Sequence, residues 1–380
     1  MFGVELSSPN KGCSALGYSF IKAILDIIEN KGNLHFYVVS RSVTLPDDVD
    51  LKGACLTFLK IENKNPAYYL KLNKLIKVCD IVFDFTEGDS FTELYGIKRF
   101  VLTTLMKEMV LQKKKPLILG PQTYGPIYRK LSRNWLKRII KRADEVFVRD
   151  QLSLDFLCEV YNREFILTND VAFELPYTRN NKRSDKIKIG INPSGLLWNG
   201  GYTKNNQFDL SMDYRKYIRN ILKEYTQNDD YEVHLIAHVI TEDIESPESD
   251  NCVCNILHNE FSNTIIAPVF ETPIEAKSYI STMDCFIGSR MHATIASFSA
   301  GVATIPVSYS RKFEGLYGSL KYPYIICATK CSDDEAIKLT IEWINNMNQL
   351  LDVAHESNKI IDEKRKLFYS RLKEVLKKYN

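Results

Sequence analysis

Short apolar, β-branched or aromatic runs alternate with longer stretches of helical periodicity along nearly the whole chain, and this rhythm leaves few folds open. A strand separated from the next by a helix normally pairs with it in parallel, so the pattern specifies βαβ units and mostly parallel sheets. In the first half the strand candidates are FGVEL, LHFYVVS, ACLTFLK, DIVFDF, PLILG and EVFVR, with helical stretches at about 15–30, 67–78, 92–112, 128–142 and 150–160. The rhythm pauses in ELPYTRNNKRSDK, a polar linker with a proline and no periodicity, then restarts at IKIGIN. Strands YEVHLIA, IIAPV, DCFIG, ATIPVS and YIICA follow, with helices at 211–225, 249–258, 273–281 and 290–299. The expected architecture is α/β: two Rossmann-like domains, 1–176 and 186–350, facing across a cleft. Residues 333–348 and 354–378 read as terminal helices. In the last, Ile360, Ile361, Leu367, Phe368, Leu372, Val375 and Leu376 form an apolar stripe that predicts segment 351–380 packing back on the body.

A length of 380 residues suits two domains of roughly 150 to 200 residues and excludes a single small binding module. Fifty Lys and Arg stand against 47 Asp and Glu, so the chain lacks the basic excess of a nucleic-acid binder, and an anionic ligand must be met by local cations. Nine cysteines without a CxxC pair predict reduced thiols and no zinc site. The start, MFGVELSSPNKG, lacks the pattern of a secretory signal, and the longest apolar runs are far too short to span a bilayer; the expectation is a cytoplasmic protein.

The richest window is DCFIGSRMHATIASFSAGVATIPVSYSRKFEGLYG, 284–318. A strand ends at Gly288 and a helix opens near Ser289, so Arg290 and His292 fall at a strand end and a helix N-terminus together, where an anion is favoured. Arg290 offers a planar fork for carboxylate or phosphate, and His292 could donate or accept a proton. The competing reading makes Arg290 a structural cap and His292 a satisfied, half-buried histidine. The strand ATIPVS then delivers Tyr309 and the pair Arg311, Lys312 to the same strand-end side, with Lys312 either a second cation for that anion or a solvated lysine.

Further candidates lie at other strand ends. Asp89, after DIVFDF, is placed to accept a hydroxyl proton or to cap a helix starting near Phe91. PLILGPQTYGP encloses Gln122 and Tyr124 between two Gly-Pro pairs, either a constrained ligand loop or a plain turn. Arg149 is a cationic subsite or the partner of its neighbour Asp150. Asn10, in the turn PNKG before the first helix, could cradle a phosphate or sugar, although neither GxGxxG nor GxxxxGK[ST] spacing is present. His238 could face the cleft, whereas His234 reads as packing. The helix RKLSRNWLKRIIKR, 129–142, has seven basic and no acidic residues; it either rests on an anionic membrane or is a solvated basic face over a core stripe.

With these residues in view, the chain resembles the polysaccharide pyruvyl transferase family. GSRMHATIASFSAGVATIPVSYSRKFEG is similar to that family's signature of Arg-x-His at a helix start, then Gly-x-x-x-Pro and Tyr-x-x-Lys. NKGCSALGYS, DFTEGDSF, LGPQTYGP, the VRD at 148–150 and Asp170 in NDVAF match in the expected order, while Cys13 stands where relatives tend to have an acidic or small residue. The resemblance implies a glycosyltransferase-B-like fold with the acceptor on the first domain and phosphoenolpyruvate on the second. It also implies transfer of a pyruvyl group to a saccharide as a ketal, with no cofactor and no metal. On that reading Arg149, Arg290 and Lys312 hold the donor, His292 is the general acid and Asp89 the base. Tyr309, Gln122, Asn10 and His238 contact substrate, and the acceptor is a free or lipid-linked glycan. Two alternatives share the fold: a sugar-nucleotide glycosyltransferase and a non-catalytic sugar-binding protein.

Overall fold

The computed structural model describes every residue except 181–184, 244 and 380, so part of the expected linker lies outside the described residues. The chain divides into two compact units, Met1–Ser8 with Leu16–Glu174 and Ile361–Asn380, and Pro9–Ala15 with Leu175–Ile360. Segment 9–15, read from sequence with the first domain, thus belongs to the second unit, and the last twenty residues belong to the first.

In the first unit, strands β1 (His35–Ser40) and β2 (Cys55–Lys60) pair in parallel, and β3 (Val82–Asp84), β4 (Leu117–Gln122), β5 (Glu145–Val148) and β6 (Ile166–Leu167) form a parallel row in that order. Phe2 joins the two sets through parallel bridges to Val39 and Asp84. The expected strand FGVEL shrinks to this one residue because Gly3 turns to φ +67°, where a Cβ would lie 2.3 Å from the Thr86 backbone nitrogen. The spatial order β2, β1, Phe2, β3, β4, β5 is the doubly wound one, and its reversal falls between Phe2 and β3.

The second unit repeats the plan with β7 (Ile187–Asn192), β8 (Tyr231–Leu235), β9 (Ile265–Ile266), β10 (Cys285–Gly288), β11 (Ala303–Ser308) and β12 (Ile326–Cys327). All are parallel, in the order β12-β11-β10-β7-β8-β9. Helices cover both faces, so most strand positions are apolar: Ile189, Ile191, Val233, Leu235, Phe286, Ile287, Ile305 and Val307 are all buried. The reversal lies between β7 and β10, whose last residues, Asn192 and Gly288, are register partners.

Polar caps open the helices. Ser249 caps Asp250–Glu260, and Thr272 with Glu275 forms a capping box at Pro273–Ile280. The terminal helix is one element, Met347–Tyr379. In its last part Phe368, Leu372, Val375 and Leu376 are buried, with the Phe368 ring 5.4 Å from Phe147, whereas Leu367 of the expected stripe is exposed. Among the described residues, no helix is long and apolar enough to cross a membrane.

Candidate functional site

The second unit's site grows out of the β7/β10 reversal, where doubly wound sheets leave a crevice beyond their strand ends. Gly288 makes the exit from β10 tight, since a Cβ there would sit 2.5 Å from Thr294 Cγ2. Arg290 follows as the N-cap residue of helix Met291–Ser299, its backbone N–H donating to Asn192 Oδ1 at 3.0 Å. Its guanidinium is buried and fixed. Nε and Nη2 donate to Asp250 at 3.1 and 2.8 Å, and Nη2 also donates to the Glu248 carbonyl at 2.8 Å.

Asp250 is fully buried and accepts in addition from the backbone N–H groups of Gly195, His238 and Val239. Burial works against the Arg290 charge, but the Asp250 carboxylate outweighs it and raises the pKa, so the guanidinium is a permanent cation. Nη1 takes no part in these bonds. One face of the fork is therefore committed to orientation, leaving the remaining nitrogen for an anion.

Residues Pro9–Ala15 pack on this same unit. Asn10 bridges Val239, the Ile240 N–H donates to the Pro9 carbonyl, and the Lys11 N–H donates to the His238 carbonyl. The Gly12 N–H donates to Asn10 Oδ1 at 3.0 Å. Gly12 lies flat against His292: a Cβ on it would fall 2.3 Å from His292 Nδ1 and 2.7 Å from Cγ. His238 is buried, its Nδ1 has no hydrogen-bond partner, and its pKa is driven well below 6.5, first by burial and then by His292, Arg290 and Lys11. It is a buried, neutral imidazole with an unsatisfied ring nitrogen, close to the Arg290 and Lys11 cations.

Asn10, His238, Arg290 and His292 are thus brought together. Tyr309 lies near Arg290, with its ring edge-on to Phe208 at 4.9 Å. Lys312 is half-buried in the first turn of helix Arg311–Ser319, an element the sequence pattern did not reveal. His234 is the packing residue expected of it, held by Tyr279 and Glu232.

His238 carries a pH prediction. A histidine kept neutral in the fold takes up a proton more readily when unfolded, so stability falls as pH drops below about 6.5. The slope approaches about 1.4 kcal/mol per pH unit for one group. His234 is displaced in the same direction, more weakly. Urea denaturation between pH 7 and pH 5 is expected to show this loss, and His238→Gln to remove the larger part of it.

The first unit carries Asp89, Gln122 and Arg149. Asp89 follows three successive left-handed residues, Thr86, Glu87 and Gly88, with φ of +44°, +55° and +83°. A β-branched residue there is strained by roughly 1 to 3 kcal/mol. A buried network holds it: Lys107 Nζ donates to Thr86 Oγ1 at 2.8 Å, is ion-paired with Asp84 at 2.9 Å, and sits 4.3 Å over the Phe91 ring. Asp89 caps no helix, because the next one begins only at Ile97; its carboxylate accepts from Tyr95 Oη at 2.8 Å. Lys107→Met would leave Asp84 buried without its cation, at an expected cost of about 3 kcal/mol in unfolding free energy. Retained stability in a urea melt would contradict that.

Arg149 is buried, its Nη1 paired with Asp170 at 2.6 Å and its Nε donating to Thr123 Oγ1 at 2.9 Å. Its neighbour Asp150 is not the partner; that carboxylate caps helix Gln151–Val160 through the Ser153 N–H. Gln122 is wholly buried as the last residue of β4, with Nε2 donating to the Asp84 carbonyl. The turn expected at Gly120-Pro121 is absent, since the pair lies inside β4 at a register shift, where Gly120 makes room for the Phe85 ring.

Asp250, Asn192 and Lys107 were not among the sequence candidates. Asp250 falls at the start of the helix expected over 249–258, directly after its Ser249 cap, but nothing in the sequence around it marks it as the partner of a distant arginine.

Two doubly wound parallel sheets in successive compact units place the protein in the glycosyltransferase-B fold class. Solved structures agree. A putative UDP-N-acetylglucosamine 2-epimerase from Listeria monocytogenes matches with TM-score 0.57 at 12% identity, over 93% of this chain and 94% of the other. Sucrose-phosphate synthase from Thermosynechococcus elongatus gives 0.56 at 10%, over 98% and 97%. Anabaena HepE in complex with UDP and glucose gives 0.57 at 9%, over 100% and 98%. No curated protein sequence matches. The profile of the polysaccharide pyruvyl transferases matches residues 10–311, and the chain belongs to that family.

Proposed function

We propose that this protein moves the pyruvyl group of phosphoenolpyruvate onto two hydroxyls of a saccharide as a cyclic ketal, in the synthesis of an exopolysaccharide or other cell-surface glycan. The observation that carries this reading is the fixed Arg290 fork beside His292 at the β7/β10 reversal, in a chain of this family. Phosphoenolpyruvate brings a carboxylate and a phosphate, and a cation oriented in advance stabilises charge on either without reorganising. Arg290 Nη1 and Lys312 meet the donor on the second unit, and Arg149 is the cation of the first.

His292 delivers a proton to the methylene carbon of the enol, and the electron-poor carbon that results is attacked by a sugar hydroxyl. The C–O bond to phosphate then breaks, and a second hydroxyl closes the ring. Each hydroxyl gives up one proton. One restores the acid and the other leaves with inorganic phosphate, so donor and diol become ketal and phosphate with no oxidant or reductant. Asp89 accepts a hydroxyl proton on the acceptor side. Asn10, His238, Tyr309 and Gln122 complete the substrate contacts in this reading, and the acceptor is a free or lipid-linked glycan. His292→Ala is expected to lose phosphate release from phosphoenolpyruvate while the protein stays folded by circular dichroism; near wild-type release removes His292 from the acid role.

A further inference from the structure

The segment 60–142 carries 18 Lys and Arg against seven Asp and Glu, a local balance of +11 in a chain whose total is +3. Within it, two loops of the first unit are fastened side by side by one buried carboxylate. Glu93 accepts from the backbone N–H groups of Tyr128 and Arg129, at 2.8 and 3.1 Å, and from Ser132 Oγ at 2.5 Å. The clamp fixes an apolar rim. Leu131 is 84% exposed, Tyr128 71% and Leu94 61%, with Tyr95 and Ile97 also exposed beside them.

Lysines 98, 130, 137 and 141 are exposed on the same two segments. The helix Lys130–Arg142 turns Leu136, Ile139 and Ile140 into the core, so the exposed Leu131 is not part of its packing stripe. A solvated basic face needs no such rim of large apolar side chains held in place by a buried acid.

We infer that this rim and its lysines dock on a phospholipid membrane bearing anionic lipids. The lysines answer the charge of the lipid headgroups, and Leu94, Ile97, Tyr128 and Leu131 enter the interface. Nucleic acid would use the cations and stack on the tyrosines but gives no reason for three exposed aliphatic side chains. Tyr95, on the rim, is hydrogen-bonded to Asp89, so docking would place the proposed base close to a lipid-linked acceptor.

The test is co-flotation of the full chain with vesicles of phosphatidylcholine and phosphatidylglycerol, against phosphatidylcholine alone and against single- and double-stranded nucleic acid. Binding to the anionic vesicles that weakens with salt is expected. It should fall about fivefold for each of Lys130→Glu, Lys137→Glu and Lys141→Glu. The pair Tyr128→Ser with Leu131→Ser should cost about tenfold or more. Val269→Ser, at a 72% exposed position of the second unit, should leave binding unchanged. Wild-type protein that ignores the anionic vesicles, a Tyr128→Ser, Leu131→Ser protein that binds them undiminished, or tighter binding to nucleic acid would each overturn the inference. Flotation requires no turnover, and phosphate release with a soluble acceptor should be unaffected in these variants, so the docking surface and the proposed reaction fail separately.

Discussion

Replacing Arg290 by alanine is expected to lower kcat/KM for phosphoenolpyruvate-dependent phosphate release by at least about a thousandfold and, in the same protein, to cost about 3 to 5 kcal/mol of stability. Both effects come from one geometry. The guanidinium gives Nε and Nη2 to Asp250 and keeps Nη1 apart, so truncation removes the proposed anion contact and strands a fully buried carboxylate. Arg290→Lys separates the two roles. A lysine keeps a positive charge near Asp250 but has no fork with which to bind carboxylate and substrate at once, so stability should recover further than turnover. Changing both Arg290 and Asp250 to leucine should restore much of the stability and none of the activity. Urea denaturation and a phosphate-release assay read the two quantities independently. An Arg290→Ala protein as stable and as active as wild type would remove the pair from both roles.

Gly12→Ala is expected to cut turnover about a hundredfold with little change in unfolding free energy. The added methyl would fall 2.3 Å from His292 Nδ1, 2.7 Å from Cγ and 2.8 Å from Cβ, and real Cβ atoms do not approach so closely. Gly12 is the second residue of helix Lys11–Ile27, where alanine is the better helix former, so the backbone holds and the imidazole moves. A displacement near 1 Å of a group that must meet a reacting carbon costs on the order of a hundredfold. The expected signature is a fall in kcat with a melting temperature near that of the wild type. Undiminished kcat would mean that His292 can shift without harm, and so does not deliver a proton at a fixed position.

Much of the architecture was legible in the sequence, because every buried parallel strand had to be an apolar run bounded by polar caps. IKIGIN, ATIPVS and CFIG appear in the structure as β7, β11 and β10. Position along those strands also carried the site, since Arg290 and His292 stand at the end of β10 because Gly288 stops it.

The pairings were not legible. Arg149 reaches Asp170, 21 residues on, and leaves its neighbour Asp150 to cap a helix, because residues adjacent in an extended segment point opposite ways. Asp250 reaches Arg290 across 40 residues, a separation at which local spacing carries no pairing signal. The left-handed turn before Asp89 is invisible in TEGD, since only the buried Lys107 and Asp84 explain how a threonine tolerates it. The strand–helix rhythm and the chain length place segment 9–15 in the first domain. The structure moves residues 9–15 onto the second unit, where Asn10 and Gly12 serve His292.

Pyruvyl transfer from phosphoenolpyruvate is read directly by mass spectrometry of a saccharide panel after incubation with the purified protein and this donor. One inorganic phosphate is expected for each acceptor that gains the mass of one pyruvate less one water, with no such gain in the Arg290→Ala protein. Transfer of a hexose from a sugar nucleotide, with phosphoenolpyruvate left intact, would contradict it.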